Sequence, residues 1–148
     1  MSATAEYARA NDETRARLHA LVARLGPNDL ARAAFEDWSV SALLAHLAFW
    51  DRFAASRFEK YLRDREAMVF LNDAFFDHIN AAGRPQWTAT PLGAAAADAM
   101  SSADAVDGFI ARLSPEQIAA IQAIGRPGLL DRSGHRNQHL DQLERALE

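Results

Sequence analysis

The chain contains no cysteine. That absence excludes disulfides, thiolate metal ligands and a cysteine nucleophile together, so any thiol chemistry would need a thiol brought in from outside. Long apolar runs are missing too. The stretch from Val40 to Trp50 is interrupted by Ser41 and His46, and it falls short of the roughly 20 residues that span a bilayer. No basic patch leading into an apolar segment and a small-residue cleavage site opens the chain, so no secretory signal is visible and the expected location is the cytoplasm. An excess of basic charge is also lacking. The formal net charge is −4, and arginines are mixed with acids, as in Arg63, Asp64, Arg65 and Glu66. Long-range attraction to phosphate backbones is not expected, which leaves a small molecule as the expected partner rather than nucleic acid or membrane.

Valine, threonine and tyrosine are sparse, and no run alternates apolar and polar residues for long enough to argue for a strand. Alanine, leucine, arginine and glutamate dominate instead, so the expected class is all-α. With 148 residues, 49% of them hydrophobic, one domain over residues 1–148 around one core is expected.

Periodicity and punctuation place the helices. A first one fits residues 3–25, with Leu18, Leu21, Val22 and Leu25 on one face, and Gly26, Pro27, Asn28 and Asp29 stop it. After a connector holding Phe35 and Trp38, Ser39 can cap a second helix that runs to about Arg65 and carries Leu43, Leu47, Trp50, Phe53 and Phe58. A shorter helix over residues 69–82 ends at Gly83, Arg84 and Pro85, and residues 86–90 read as a loop. A third long helix over residues 92–113 buries Ala96, Met100, Val106, Phe109 and Ile110. Its Ala94 to Ala97 run reads as plain helix former. Ser114, Pro115 and Gln117 form a capping box before a short helix over residues 116–124, and a final helix covers residues 130–147. Four long amphipathic helices, each with a stripe that only its neighbours can cover, make a bundle.

The histidines carry the chemistry. His46 lies three residues after Leu43 and four before Trp50, which points it inward with the core residues. Buried there, it needs a partner for each ring nitrogen, and a backbone carbonyl or a neighbouring side chain could serve. His135 and His139, in the run His-Arg-Asn-Gln-His, project from one helix face one turn apart, the spacing at which two histidines share an ion. Gly128 and Gly134 beside them would let another helix or a ligand come close. If the second and last helices are neighbours, three neutral imidazoles converge, a set suited to zinc, nickel, iron or copper rather than magnesium or calcium. Three protein ligands leave a position open. His19 reads as surface or interfacial, and His78 as solvated or near a helix end. Trp50 and Phe53 continue the His46 face and could line a pocket, although aromatic residues at this spacing also serve as simple core. Arg132, one turn before His135, could meet a substrate carboxylate or stay at the surface.

The segment Asp37-Trp38-Ser39-Val40-Ser41-Ala42-Leu43-Leu44-Ala45-His46-Leu47-Ala48-Phe49-Trp50-Asp51 resembles the opening of the second helix in DinB-like and mycothiol-dependent maleylpyruvate isomerase-like proteins. The run His135-Arg136-Asn137-Gln138-His139-Leu140 is similar to their last-helix motif. The resemblance implies an up-down-down-up four-helix bundle whose metal is held by His46, His135 and His139. It also implies chemistry with a low-molecular-weight thiol such as mycothiol, bacillithiol or glutathione, whose pKa the ion lowers, an assignment that suits a chain without cysteine. Asn72 resembles an asparagine of such proteins and could face the cavity with Phe76 one turn on, or be an ordinary polar residue near a helix start. Two other functions stay open: hydrolysis by a metal-activated water, and a non-catalytic bundle that sequesters a small molecule. Any helix face could also serve a homodimer.

Overall fold

The computed structural model describes residues 3–148. Helix α1, Ala3–Arg24, ends where glycine and proline follow it. Pro27–Leu30 then makes one further turn, α2, closed by a bond from the Gly26 N–H to the Asp29 carboxylate at 2.9 Å. The connector beyond it contains a feature that the pattern did not predict. Strands β1, Ala33–Phe35, and β2, Trp38–Ser39, pair antiparallel around Glu36, whose φ is 50°. Strands of three and two residues are too short to show alternation.

Ser39 opens α3, Val40–Asp64, by accepting a hydrogen bond from the Ala42 N–H at 3.0 Å, as an N-cap serine should. Helix α4 departs from the expectation: it spans Asp73–Ala89 and passes through Gly83, Arg84 and Pro85 without stopping. Proline forfeits a bond to the carbonyl four residues back, but that residue, Ala81, is exposed and water can serve its oxygen. What holds the helix past the proline is Trp87, 5% exposed and packed in the core. The Trp87 ring lies where a β-carbon on Gly83 would stand. The remaining elements are α5, Leu92–Ala111; α6, Pro115–Gln122, with the capping box of Ser114 and Gln117; a 3₁₀ turn, Pro127–Leu129; and α7, Ser133–Ala146, which begins three residues later than the pattern suggested.

Side-chain pairs give the direction of each helix. Arg15 meets Asp107 at 2.8 Å and His19, one turn on, meets Asp104 at 2.9 Å, so α1 and α5 run antiparallel. Asn11 bonds the Leu130 carbonyl while Arg17 reaches Asp141 and Glu144, so α1 and α7 run parallel. On α3, His46 faces His135 and Asp51 faces Arg132, making α3 antiparallel to α7. The bundle is therefore up-down-down-up. Parallel neighbours α3 and α5 need a long return connection, which residues 65–91 supply with α4 lying on α3.

Ala95, Ala96, Ala99 and Ala103 of α5 are buried with Leu44, Ala45 and Ala48 of α3. Half of the alanine run thus serves close helix packing as well as helix formation. Phe58, fully enclosed, anchors a second apolar cluster with Val106, Ile110 and Ile121. Burial of such a ring stabilises the fold by about 3 kcal/mol. Met100, Phe109 and Phe53 are only half-buried. A layer of buried polar groups that includes Asn11, Asp51, Asp107 and Arg136 joins four helices within the bundle. Among the described residues, no helix is long and apolar enough to cross a membrane.

Candidate metal centre

His46 on α3 and the pair His135 and His139 on α7 come together. Nε2 of His46 lies 3.2 Å from Nε2 of His135. The ring of His139 is centred 4.8 Å from each of the other two, and one ligand nitrogen from each residue falls within 4.8 Å of the others. Nitrogens held about 2.0–2.1 Å from a tetrahedral ion stand roughly 3.3 Å apart, so the His46–His135 separation already has that scale. Two neutral imidazoles this close must share a proton in a hydrogen bond or aim lone pairs at one cation.

The surroundings favour neutral rings. Burial, with a contribution from His139, lowers the pKa of His46 to about 3. Burial also takes His135 well below its ordinary value, assisted by the charges of His139, His46, Arg132 and Arg136. His139 is lowered by burial against the opposing bond to Gln142. Neutral imidazole is the ligand form. At His139, Nδ1 lies 2.8 Å from Oε1 of Gln142. An amide oxygen only accepts, so Nδ1 carries the proton and Nε2 is left with its lone pair. Trp38 and Trp87 stand edge-on to the ring of His46, centred 5.6 and 4.9 Å away, while its buried Nδ1 has no hydrogen-bond partner. The donor set fits a divalent transition metal: three nitrogens, with no carboxylate in the cluster among the described residues.

The histidines form part of the wall of a cavity of about 730 Å³. Trp50 and Phe76 line it, and the Trp50 N–H donates to Asn80 at 2.7 Å, which fixes the indole. Arg132 lines it as well, but it is no surface arginine: it donates to Asp51 at 3.0 Å and to the Gly128 carbonyl at 2.7 Å. Asn72 does not line the cavity. It is the exposed N-cap of α4, accepting from the Phe75 N–H at 2.9 Å, so the helix-start reading is the correct one. Gly128 and Gly134 line the cavity, and no atom lies within 4 Å of where their β-carbons would stand, so they leave space for a ligand, not for a helix. His19 pairs with Asp104 near the surface, and His78 is exposed and outside the cavity.

Several residues around the site gave no warning in the sequence. Arg136, between His135 and His139, is completely buried. It donates to Asp51 at 3.1 Å and twice to Asp107, at 2.7 and 2.9 Å. Burial works against its charge, but the bonds to Asp107 and Asp51 prevail and its pKa is raised. This network ties α7 to α3, α5 and α1, and with it the position of the histidine pair. Trp87, placed in a loop by its neighbouring glycine and proline, is instead a wall of the His46 environment. An arginine one residue from a ligand and the aspartate five residues past His46 were the only local hints, and neither distinguishes a buried ion pair from a solvated one.

A four-helix bundle that gathers imidazoles from two helices beside a cavity belongs among the helical domains able to hold one metal ion through side chains facing inward. A comparison with protein families matches the DinB superfamily over residues 10–143, and the chain belongs to that superfamily. Comparison with curated proteins and with solved structures gives no significant match.

Proposed function

We propose that this chain is a metal-dependent enzyme that holds one zinc, nickel or iron ion on His46, His135 and His139. Its co-substrate is a low-molecular-weight thiol of the mycothiol, bacillithiol or glutathione type, transferred to a small electrophile or used to isomerise it. The observation that carries this reading is the convergence of three imidazoles on one wall of a cavity of about 730 Å³. When bound, such an ion supplies Lewis acidity that keeps a thiol sulfur deprotonated near neutral pH.

The chain's own residues would do the rest. Arg136 and Asp51 hold α7 against α3 so that the histidine nitrogens stay aligned. Gln142 fixes the tautomer of His139. Trp50 and Phe76 supply a flat apolar wall, and the absence of cysteine keeps the protein itself from competing with the added thiol.

Elemental analysis of the purified protein beside His46→Ala tests the ligand set: one equivalent of metal in the first and almost none in the second is expected, and equal contents would refute it. Thiol added to cobalt-substituted protein should change the visible spectrum. Mass spectrometry of electrophiles incubated with each thiol should then find the conjugate or isomer. A spectrum indifferent to every thiol, with no product formed, would leave only the sequestering bundle.

A further inference from the structure

Trp50, Phe76 and Arg132 line not only the main cavity but a second one of about 270 Å³ beside it. Three arginines line this side pocket, Arg57, Arg126 and Arg132, and no acidic residue does so among the described residues. The nearby negative charges are already committed. Asp73, exposed, pairs with Arg126 at 3.0 Å. Asp51 is shared between Arg132 and Arg136. Arg57 has no carboxylate within ion-pair distance among the described residues, and its one hydrogen bond goes to the Val69 carbonyl. Nε of Arg126 is buried without a partner. Burial and the charge of Arg132 together lower the pKa of Arg57, as expected where like charges crowd without an anion.

Uncompensated positive charge in a half-buried pocket calls for an anion, and the remaining walls limit its kind. Phe53, Trp50 and Phe76 offer flat apolar surface, with the Arg57 guanidinium 5.9 Å from the Phe53 ring centre. Planar guanidinium matches a planar carboxylate in a two-point contact. A single negative charge balances the one arginine that lacks a counterion. Because Trp50, Phe76 and Arg132 are common to both cavities, a molecule anchored in the side pocket can extend its other end toward the histidines.

We propose that the side pocket is a carboxylate subsite, in which Arg57 and Arg126 hold the carboxylate of a small aromatic acid whose other end extends toward the histidine cluster. The assignment of that acid as substrate rests on the metal-enzyme reading above, while the pocket's preference for a carboxylate can be measured without it.

The test uses calorimetric titration of the full chain with phenylacetate and with its neutral counterpart phenylacetamide. Phenylacetate should bind at least tenfold more tightly than the amide. Arg57→Met should weaken phenylacetate at least tenfold and leave the amide unchanged, and Arg57→Lys should recover part of the loss. Protein treated with a chelator should bind phenylacetate as the untreated protein does. Equal binding of acid and amide would overturn the proposal, as would undiminished binding to Arg57→Met. So would inorganic phosphate that displaces the acid at equal concentration, since the pocket would then select charge alone. Loss of phenylacetate binding on chelation would place the carboxylate on an ion instead of the arginines and would overturn the proposal. Should Arg57→Met fail to fold by circular dichroism, the acid and amide titrations of the unaltered protein decide. A protein that carries no metal yet prefers phenylacetate would sink the enzyme reading and keep the subsite.

Discussion

The carboxylate of Asp51 accepts a hydrogen bond from the buried guanidinium of Arg136 at 3.1 Å, and so joins the helix bearing His46 to the helix bearing His135 and His139. Both partners are almost wholly enclosed. Charges taken from water in this way are strongly destabilising if one of them is removed. Asp51→Asn should therefore cost about 3–5 kcal/mol in urea unfolding, and a loss below about 1 kcal/mol would mean that the pair is not needed. Exchange of both residues, Asp51→Leu with Arg136→Met, should cost less than Asp51→Asn alone, because no charge is left stranded.

Metal should stabilise the fold through its histidines. At a free metal concentration of about one hundred times Kd the gain is about 2.7 kcal/mol, so a chelator should lower the Tm of the loaded protein and leave His139→Ala unaffected. A chelator that shifts both equally would place the ion elsewhere.

Acid should weaken the metal-free protein in a defined window. His46 has a folded pKa near 3 against an ordinary 6.5, and His135 and His139 are also lowered. Below 6.5 the unfolded chain takes up protons that the folded chain refuses, so stability is complete above that pH and falls as pH drops. Between its folded and unfolded values His46 contributes a slope of at most about 1.4 kcal/mol per pH unit, and His135 and His139 add to it in the same direction. Urea unfolding with chelator at about pH 4.5, 5.5 and 7.5 would show it, and a flat profile would mean that the rings are charged or exposed.

Gln142 lines the cavity and holds the ring of His139 through its Oε1, 2.8 Å from Nδ1. Gln142→Leu should reduce metal affinity by about 10- to 100-fold while the metal-free protein melts almost unchanged. Competition with a fluorescent chelator measures the first and calorimetry the second.

Gly83 and Trp87 test the continuation of α4 past Pro85. A methyl group at residue 83 would meet the indole, so Gly83→Ala should destabilise by about 1–3 kcal/mol and alter the near-ultraviolet signal of the buried tryptophan. An unchanged signal with higher stability, as alanine would give in an ordinary helix, would count against the packing.

Much of this molecule could be read from short stretches of chain. The Ser39 cap, the Ser114 and Gln117 box and the apolar faces of α1, α3, α5 and α7 depend on residues three or four apart, and the same range of interaction puts His135 and His139 on one face. Asn72 shows the limit of resemblance: it caps α4, which begins four residues later than the expected start at residue 69, whereas the family pattern suggested the cavity. Pro85 shows the limit of local punctuation, because the packing of Trp87 outweighs one lost backbone bond.

Helix content and the shared face of His135 and His139 were within reach of the sequence, since each follows from periodicity, capping or spacing along a few turns, whereas the helix order and the joining of His46 to that pair were implied by the resemblance alone. Tertiary structure alone decided that Arg136 is buried, that Asp51 and Asp107 are its counterions, and that Arg57 faces a pocket with none. Those pairings join residues 85 and 29 positions apart in the case of Arg136. A charged side chain looks the same in sequence whether water or another charge neutralises it, so the choice is made only when the helices pack.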